Sequence, residues 1–237
     1  MNNIEQFLLN YHNIKTENIF ARNTSAVLVA NTPCNLSCPY CYANKCTNQE
    51  QIKFLPEKVE PILNKFSNVT NENIQIWAGE PLYSKDLFVE ICNFVNRVLP
   101  NHNIIIYTNG TLLDDWWADF FKDHKVCIKL SHDGPGQKYR GFNYLESDSH
   151  VKAIKKISEN GNLCGVNTTI HKYNCSFTDI ITYFENFENK TGIELNTQSR
   201  CLVGLNLAYK IIYDFDYTNN DLFQYVTDTY TFLFKSL

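Results

Sequence analysis

Short apolar runs alternate with longer amphipathic segments along most of the chain. The apolar runs are rich in β-branched and aromatic residues and end at glycine, proline or asparagine turns, which is typical of buried strands. The segments between them repeat apolar residues with helical periodicity. The predicted strands are 25–30, 73–77, 103–108, 126–131, 163–170 and 193–198. The predicted helices are 56–66, 85–99, 113–122, 149–160, 177–190 and 220–234.

This alternation predicts an α/β fold built from βαβ units with a parallel sheet and right-handed crossovers. Six consecutive units favour an open, partial (β/α)6 TIM-like barrel, and a flat doubly wound sheet is the competing arrangement. We expect one domain over residues 1–237, in which 1–24 form a helical lead-in and 25–237 form the six β/α units. In either arrangement, ligands bind at the carboxyl ends of the strands.

Composition narrows the classes of function. The 237 residues carry a formal net charge of -4, with acidic and basic residues mixed along the chain. This balance gives no electrostatic footprint for nucleic acid or for an anionic membrane, so neither is an expected partner. The first fifteen residues lack the features of a signal peptide, and no stretch is apolar for long enough to span a bilayer. We therefore expect a cytoplasmic protein.

Polar segments rich in glycine or cysteine follow each of the first four predicted strands. Because the carboxyl ends of parallel strands meet at one edge of a barrel, these segments should converge on a single rim. They are residues 34–42, 77–82, 107–111 and 131–137, and the last is followed by Arg140 and Gly141.

Three of the nine cysteines lie in the first of these segments, with the spacing C-x3-C-x2-C at Cys34, Cys38 and Cys41. Thiolates bind iron–sulfur clusters, and three ligands on a cubane cluster leave its fourth iron open. That iron could then bind the amino and carboxylate groups of a substrate. The alternative is a structural zinc site that also uses Cys46. The other five cysteines are interpreted as small buried hydrophobes: Cys92, Cys127, Cys164, Cys175 and Cys201.

The cysteine spacing, with an aromatic residue at Tyr40, resembles the signature of the radical S-adenosylmethionine (radical SAM) superfamily. The segment Ala78-Gly79-Glu80-Pro81 resembles that superfamily's Gly-Gly-Glu-Pro motif, with alanine in place of the first glycine. The resemblance implies a 4Fe-4S cluster on the three cysteines and S-adenosylmethionine as second cofactor. It also implies that backbone carbonyls of the motif contact the methionine amino group, a role that alanine permits when φ stays negative.

Further candidate residues come from the later strands. Asn109 matches the family's segment beside the ribose, although an Asn-Gly turn explains it equally well. Ser131, Asp133 and Arg140 resemble the Ser-x-Asp-Gly segment and downstream arginine of peptide- and protein-modifying members; the alternative is a tight turn with a surface arginine. For His132, His171 and Glu80 a structural hydrogen-bonding role is favoured, and no catalytic residue is predicted. The expected cofactor contacts are Tyr40, Ala78, Gly79, Glu80, Asn109, Ser131, Asp133, Arg140 and Asn167.

The resemblance implies reductive cleavage of S-adenosylmethionine by an electron from flavodoxin or ferredoxin. The resulting 5′-deoxyadenosyl radical would abstract hydrogen from a substrate. The matching maturases carry a C-terminal cluster domain of the SPASM type, whereas this chain has no second cysteine cluster, so it is either a fragment or a minimal enzyme. A peptide or protein substrate is favoured. A small-molecule substrate, such as that of a deazapurine synthase, and a non-catalytic zinc-binding module are the alternatives.

Overall fold

The computed structural model describes residues 27–29, 33–41, 54–67, 73–77, 79–171, 174, 176–195 and 204–207. Six strands form one sheet in the order β1-β2-β3-β4-β5-β6, and every neighbouring pair is parallel. The strands are β1 (Val27–Val29), β2 (Asn73–Trp77), β3 (Asn103–Thr108), β4 (Val126–Ser131), β5 (Leu163–Ile170) and β6 (Gly204–Leu207).

Helices connect these strands. They are α1 (Pro56–Leu63), α2 (Lys85–Val98), α3 (Asp115–Asp123), α4 (Gln137–Arg140), α5 (Asp148–Glu159) and α6 (Phe177–Thr191). Short 3₁₀ helices occur at Asn64–Phe66, Pro81–Tyr83, Gly134–Gly136 and Tyr144–Glu146. The predicted lead-in over residues 1–24 and the predicted helix over 220–234 lie outside the described residues. Within the described segments, no helix combines the length and the apolar character that crossing a bilayer requires.

The sequential strand order confirms the predicted partial barrel. The doubly wound alternative is wrong. A doubly wound sheet reverses its strand order at a switch point, whereas here each strand lies beside its predecessor in the chain. The described residues of all four polar segments therefore meet at one edge, the carboxyl ends of the strands, which we call the rim.

The predicted sixth strand over 193–198 is wrong in its described part. Residues 193–195 form no strand, and β6 is Gly204–Leu207 instead. Ile193 and Leu195 are buried on either side of an exposed residue, so their burial imitates the alternation of a strand. The Leu195 N–H donates to Glu188 Oε1 at 2.6 Å, which holds this segment against the end of α6 rather than in the sheet.

The two faces of the sheet have different environments. Alternate residues of β3 and β4 are fully buried, because they pack beneath the helices in the main hydrophobic core. The residues between them are only half buried and line the interior of the barrel. The strand residues of the main core are Ile74, Ile76, Ile104, Ile106, Val126, Ile128, Leu130, Leu163, Val166 and Ile170.

Gly110 allows the chain to turn away from the rim after β3. Its φ is +77°, and a Cβ atom built on it would lie 2.6 Å from the ring of Tyr144. Tyr144 is fully buried and donates a hydrogen bond from its hydroxyl to the carbonyl of Ser131 at 3.3 Å. The ring therefore cannot move away from Gly110, and its close contact leaves no space for a side chain at this turn.

We expect Gly110→Ala to lower the free energy of unfolding by about 1–3 kcal/mol more than Gly161→Ala, because a methyl group would overpack the Tyr144 ring. Gly161 is a matched control, since its φ is +76° and a Cβ atom added there would have no neighbour within 4 Å. Chemical denaturation of both variants measures the difference. Equal losses would contradict the argument, because they would leave only the backbone cost that the two sites share.

Candidate active site at the barrel rim

The segment after β1, residues 33–41, carries the three cysteines; we call it the cysteine loop. A turn hydrogen bond from the Cys41 N–H to the Cys38 carbonyl, 3.0 Å long, brings the last two cysteines together on one side of the loop. Cys38 is buried, while Cys34 and Cys41 are half buried. All three are reduced thiols.

Groups from the neighbouring strand ends contact these thiols. The Leu36 N–H lies 3.4 Å from Cys34 Sγ, and Asn109 Nδ2 approaches the same sulfur at 3.7 Å. Cys38 Sγ lies 3.5 Å from the Arg140 carbonyl. Burial raises the pKa of Cys34, and it raises the pKa of Cys38 to about 11 against the opposing charge of Arg140. Without a metal, the protonated thiol form of these cysteines is therefore favoured over the thiolate. A metal that binds them must displace their protons.

Glu80 joins the ends of β2 and β3 to the start of the cysteine loop. Its buried carboxylate accepts hydrogen bonds from Leu82 N–H (3.1 Å), Thr108 Oγ1 (2.7 Å) and Asn109 N–H (2.6 Å). Its own N–H donates to the Pro33 carbonyl at 3.2 Å. Burial raises the pKa of Glu80, and the three donors oppose that rise. These hydrogen bonds hold the ends of β2 and β3 at a fixed spacing.

Asp133, which follows β4, is the centre of a second buried group. Its Oδ1 accepts from the Thr169 N–H (3.0 Å) and from Arg140 Nη1 (3.3 Å), and its Oδ2 accepts from the Tyr40 hydroxyl. Arg140 Nη1 also donates to the Tyr40 hydroxyl at 3.1 Å, and His171 Nε2 lies 3.8 Å from Oδ2. We call these five residues the Asp133 network.

The Asp133 network holds a charged carboxylate inside the protein. Burial alone would raise the pKa of Asp133, but nearby His171, the charge of Arg140 and the hydrogen bonds from Tyr40 and Thr169 outweigh it and lower the pKa. The His171 ring also stacks on Tyr40, with 5.2 Å between ring centroids. The network therefore joins the cysteine loop to the ends of β4 and β5.

Comparison with known proteins decides the family, because the profile of the Radical SAM superfamily matches residues 31–176. The chain belongs to the radical SAM superfamily. The match begins just before the cysteine loop and extends past β5. The resemblance inferred from the cysteine spacing is confirmed.

Individual radical SAM proteins show the same relationship. The chain is 34% identical over 124 residues to the cysteine-type anaerobic sulfatase-maturating enzyme of Clostridium novyi, an alignment that covers 47% of this chain and 33% of that protein. The structure of native anSMEcpe with bound AdoMet and Kp18Cys peptide has a TM-score of 0.66 at 17% identity, covering 89% of this chain and 60% of that one. The structure of Streptococcus suis SuiB bound to precursor peptide SuiA has a TM-score of 0.62 at 20% identity, covering 98% and 53%.

The aligned segment spans about a third of the length of the sulfatase-maturating relative. The two solved structures, which are less than 25% identical, establish the shared fold, the radical SAM partial barrel. Superfamily members are enzymes that bind a 4Fe-4S cluster and S-adenosylmethionine, so both cofactors are assigned to this chain.

The donor set of this chain fits those cofactors. Three thiols on one loop supply three cluster ligands. Zinc would hold its sulfurs within about 4.6 Å of one another, twice the Zn–S bond, whereas cubane ligands bind separate irons and lie farther apart. Over the described segments, no three His, Cys, Asp or Glu side chains are grouped closely enough to hold one metal ion. Cys46, the fourth ligand of the zinc alternative, lies outside the described residues.

Arg140 provides a second sign of fit. Its Nε is buried and has no hydrogen-bond partner in the described part of the chain. A buried guanidinium donor without a hydrogen-bond partner lowers the stability of the fold, and a carboxylate is the partner it prefers. The methionine carboxylate of S-adenosylmethionine is a group of that chemistry.

The structure brings most of the predicted site residues together at the rim. Cys34 contacts Asn109, Cys38 contacts Arg140, and Tyr40 contacts both Asp133 and Arg140. Cys41 is joined to Cys38 by the turn hydrogen bond within the loop. Ser131, the last residue of β4, is the register partner of Asn167 within β5. Gly79, two residues after β2, is half buried, and Ala78 lies outside the described residues.

One rim residue to which the sequence assigned no role is Gln137. It is buried, its Oε1 accepts from the Asp133 N–H at 3.0 Å, and its Nε2 donates to the Phe142 carbonyl at 2.9 Å. It thereby orients the backbone on either side of Arg140. The sequence signals this role only by a glutamine four residues after Asp133. That spacing does not indicate that the side chain is buried.

We expect Glu80→Gln to lower the free energy of unfolding by about 1–3 kcal/mol, because one carboxylate oxygen becomes an amide donor facing another buried donor. The exposed Glu159→Gln is the control and should change stability little. Urea titration of both variants measures the effect. A Glu80→Gln variant as stable as the wild type would contradict the hydrogen-bond assignment.

We expect His132 to make the folded protein less stable in acid. The Gly134 N–H donates to His132 Nδ1 at 2.9 Å, so Nδ1 must be an acceptor, and Nε2 donates to Asn143 Oδ1 at 2.8 Å. These bonds join the turn after β4 to the segment that follows α4. Burial lowers its pKa to about 4, from 6.5 in the unfolded chain.

Between these two values the unfolded chain binds a proton that the folded chain does not, so stability falls as pH falls through this window. His132 alone should cost about 2 kcal/mol on going from about pH 8 to about pH 5. Thermal or urea unfolding across this range, compared with His132→Gln, measures the contribution. If both proteins show the same pH dependence, His132 is not the cause.

Proposed function

We propose that this chain forms the catalytic barrel of a radical SAM enzyme that modifies a peptide or protein. The observation that carries the proposal is the cysteine loop, whose three reduced thiols are held at the barrel rim by Glu80 and the Asp133 network. The sulfatase-maturating relative and the peptide-bound anSMEcpe and SuiB structures support a peptide substrate. The Ser-x-Asp-Gly segment at Ser131 supports the same choice.

In the proposed site, Cys34, Cys38 and Cys41 hold the cluster. A cluster held there would supply the electron for reductive cleavage of S-adenosylmethionine to methionine and a 5′-deoxyadenosyl radical, and that radical would take hydrogen from the substrate. Leu36 N–H and Asn109 Nδ2 stabilise negative charge on Cys34 by donating toward its sulfur. An electron donor such as flavodoxin or ferredoxin belongs to this proposal.

The rim residues bind and orient S-adenosylmethionine in this proposal. Backbone groups of Ala78, Gly79 and Glu80 bind the methionine amino group, and Arg140 Nε binds its carboxylate. Asn109, Ser131 and Asn167 face the nucleoside from the ends of β3, β4 and β5.

Asp133 and Tyr40 have positioning roles in this proposal. Both Asp133 oxygens are occupied within the Asp133 network, and its side chain has no exposed surface, so it acts through Arg140 and Tyr40. One Arg140 nitrogen is fixed by Asp133, which leaves the Nε edge for the cofactor.

We expect Cys38→Ala to abolish cluster assembly and cleavage of S-adenosylmethionine, because two thiolates do not form a stable three-point site. The wild type, reconstituted anaerobically with iron and sulfide, should take up about four irons per chain and absorb at about 400 nm. With dithionite it should then release 5′-deoxyadenosine from S-adenosylmethionine.

Cys92→Ala is the matched control, since Cys92 is a buried thiol of the main core. It should retain both the iron and the cleavage activity. A colourless wild-type protein that binds one zinc would refute the proposal in favour of the zinc module.

The substrate is tested separately from the cleavage reaction. Short peptides encoded beside the gene and a dialysable cell extract are each added to the reconstituted enzyme. A change in peptide mass that depends on S-adenosylmethionine supports the peptide substrate. A change found only in the dialysable fraction would replace it with a small-molecule substrate.

A further inference from the structure

The inner wall of the barrel carries a lysine that the rim site does not use. Lys129 lies in β4, two residues before Ser131 at the rim. Strand register places Tyr107 of β3 on one side of it and Gly165 of β5 on the other. Cys127, two residues further down β4, and Cys164 of β5 lie close by, and these two thiols interact.

Burial along the strands shows that these side chains face the interior. Val126, Ile128 and Leu130 of β4 are fully buried and belong to the main core beneath the helices. Lys129, between two of them, is only half buried, and successive side chains of a strand point to opposite faces. The same alternation places Tyr107 on the inner face of β3.

The charge of Lys129 has no acidic partner in the part of the chain that the structure describes. None of the ion pairs found there involves it. Its Nζ lies 5.8 Å from the centroid of the Tyr107 ring, a contact that orients the ammonium group without neutralising it. A half-buried ammonium attracts an anion more strongly than a solvated one, because the surrounding dielectric constant is lower.

The position of Lys129 suits a substrate beneath the cofactor. Two residues of a strand span about 6.6–6.8 Å, so Lys129 lies one layer of side chains below the rim. At this height β5 contributes Gly165, which has no side chain, next to a register shift that leaves Cys164 without a register partner in β4. Gly165 therefore places no side chain next to Lys129 on that side.

We propose that Lys129, oriented by Tyr107, binds a carboxylate of the substrate inside the barrel. The inference rests on the proposed function, which places the radical at the rim above it. The substrate class is a molecule that inserts a carboxylate into the barrel: an acidic side chain or terminal carboxylate of a peptide, or a small carboxylic acid. A charge-assisted hydrogen bond at this depth would fix which substrate carbon faces the rim.

NMR of lysine side chains tests the binding directly. The reconstituted enzyme is methylated with ¹³C-formaldehyde, which preserves lysine charge, and the Lys129 signal is identified by its loss in Lys129→Arg. The probes are glutarate and acetyl-Gly-Glu-Gly-amide, with glutaramide and the matching glutamine peptide as neutral analogues. The Lys129 signal should shift saturably with a carboxylate probe, at an affinity at least about tenfold above that for its neutral analogue.

Lys85 is the internal control, because its ammonium also lies over an aromatic ring, 3.3 Å from the centroid of Trp116, but in an exposed position on α2. Its signal should not shift. A response to glutarate alone identifies a small acid, and a response to the peptide alone identifies a peptide carboxylate; each supports the proposal.

No shift with either carboxylate, or equal shifts with the neutral analogues, would overturn it. The proposal would also be overturned if the Lys129 signal shifted in the Cys127→Ser variant but did not respond to carboxylates. Lys129 would then be the counter-ion of a thiolate. The titration reads Lys129 whether or not 5′-deoxyadenosine forms, so its failure is distinct from failure of the proposed function.

Discussion

The ionised carboxylate of Asp133 is the interaction on which the geometry of the rim depends. It lies fully inside the protein, yet its pKa is lowered, because four groups from separate parts of the chain converge on it. Removing one partner from a buried charge pair typically costs about 3–5 kcal/mol, since the other charge is left uncompensated. The cysteine loop, α4 and the end of β5 are therefore held in one arrangement, although they belong to separate elements.

Glu80 has a similar role on the other side of the loop. Both acids are buried, and both follow a strand, β2 for Glu80 and β4 for Asp133. Each accepts hydrogen bonds from the next strand along the sheet: Glu80 from Thr108 in β3, and Asp133 from Thr169 in β5. The parallel sheet brings the strand ends together, and the two acids fix the spacing between them.

Much of this architecture could be predicted from the chain, because the strands with β-branched runs and the amphipathic helices pack as their patterns indicate. Helix α3 begins two residues later than the predicted start at 113, because the Asp114 side chain accepts from the Trp117 N–H and so caps the helix. The prediction of a strand over 193–198 is wrong in its described part. Two buried residues on either side of an exposed one occur both in a strand and in a loop packed against a helix. Local alternation cannot distinguish these two environments.

The sequence places the candidate site residues near the strand ends, but it does not show how they connect. The cysteine spacing indicates a cluster, yet nothing in the sequence shows that Tyr40 and Arg140 share Asp133, or that Gln137 is buried beside them. Such pairings join residues up to 100 positions apart and depend on tertiary packing. Cys127 and Cys164 make the same point, since their sequence context suggests buried hydrophobes, whereas they are half-buried thiols on the inner wall.

The cysteine loop follows a strand of three residues and is held mainly by contacts with strands that come later in the chain. Its shape therefore depends on groups that lie beyond the ends of β3 and β4. A substitution at one of those strand ends can move the thiols without altering the cysteine loop itself.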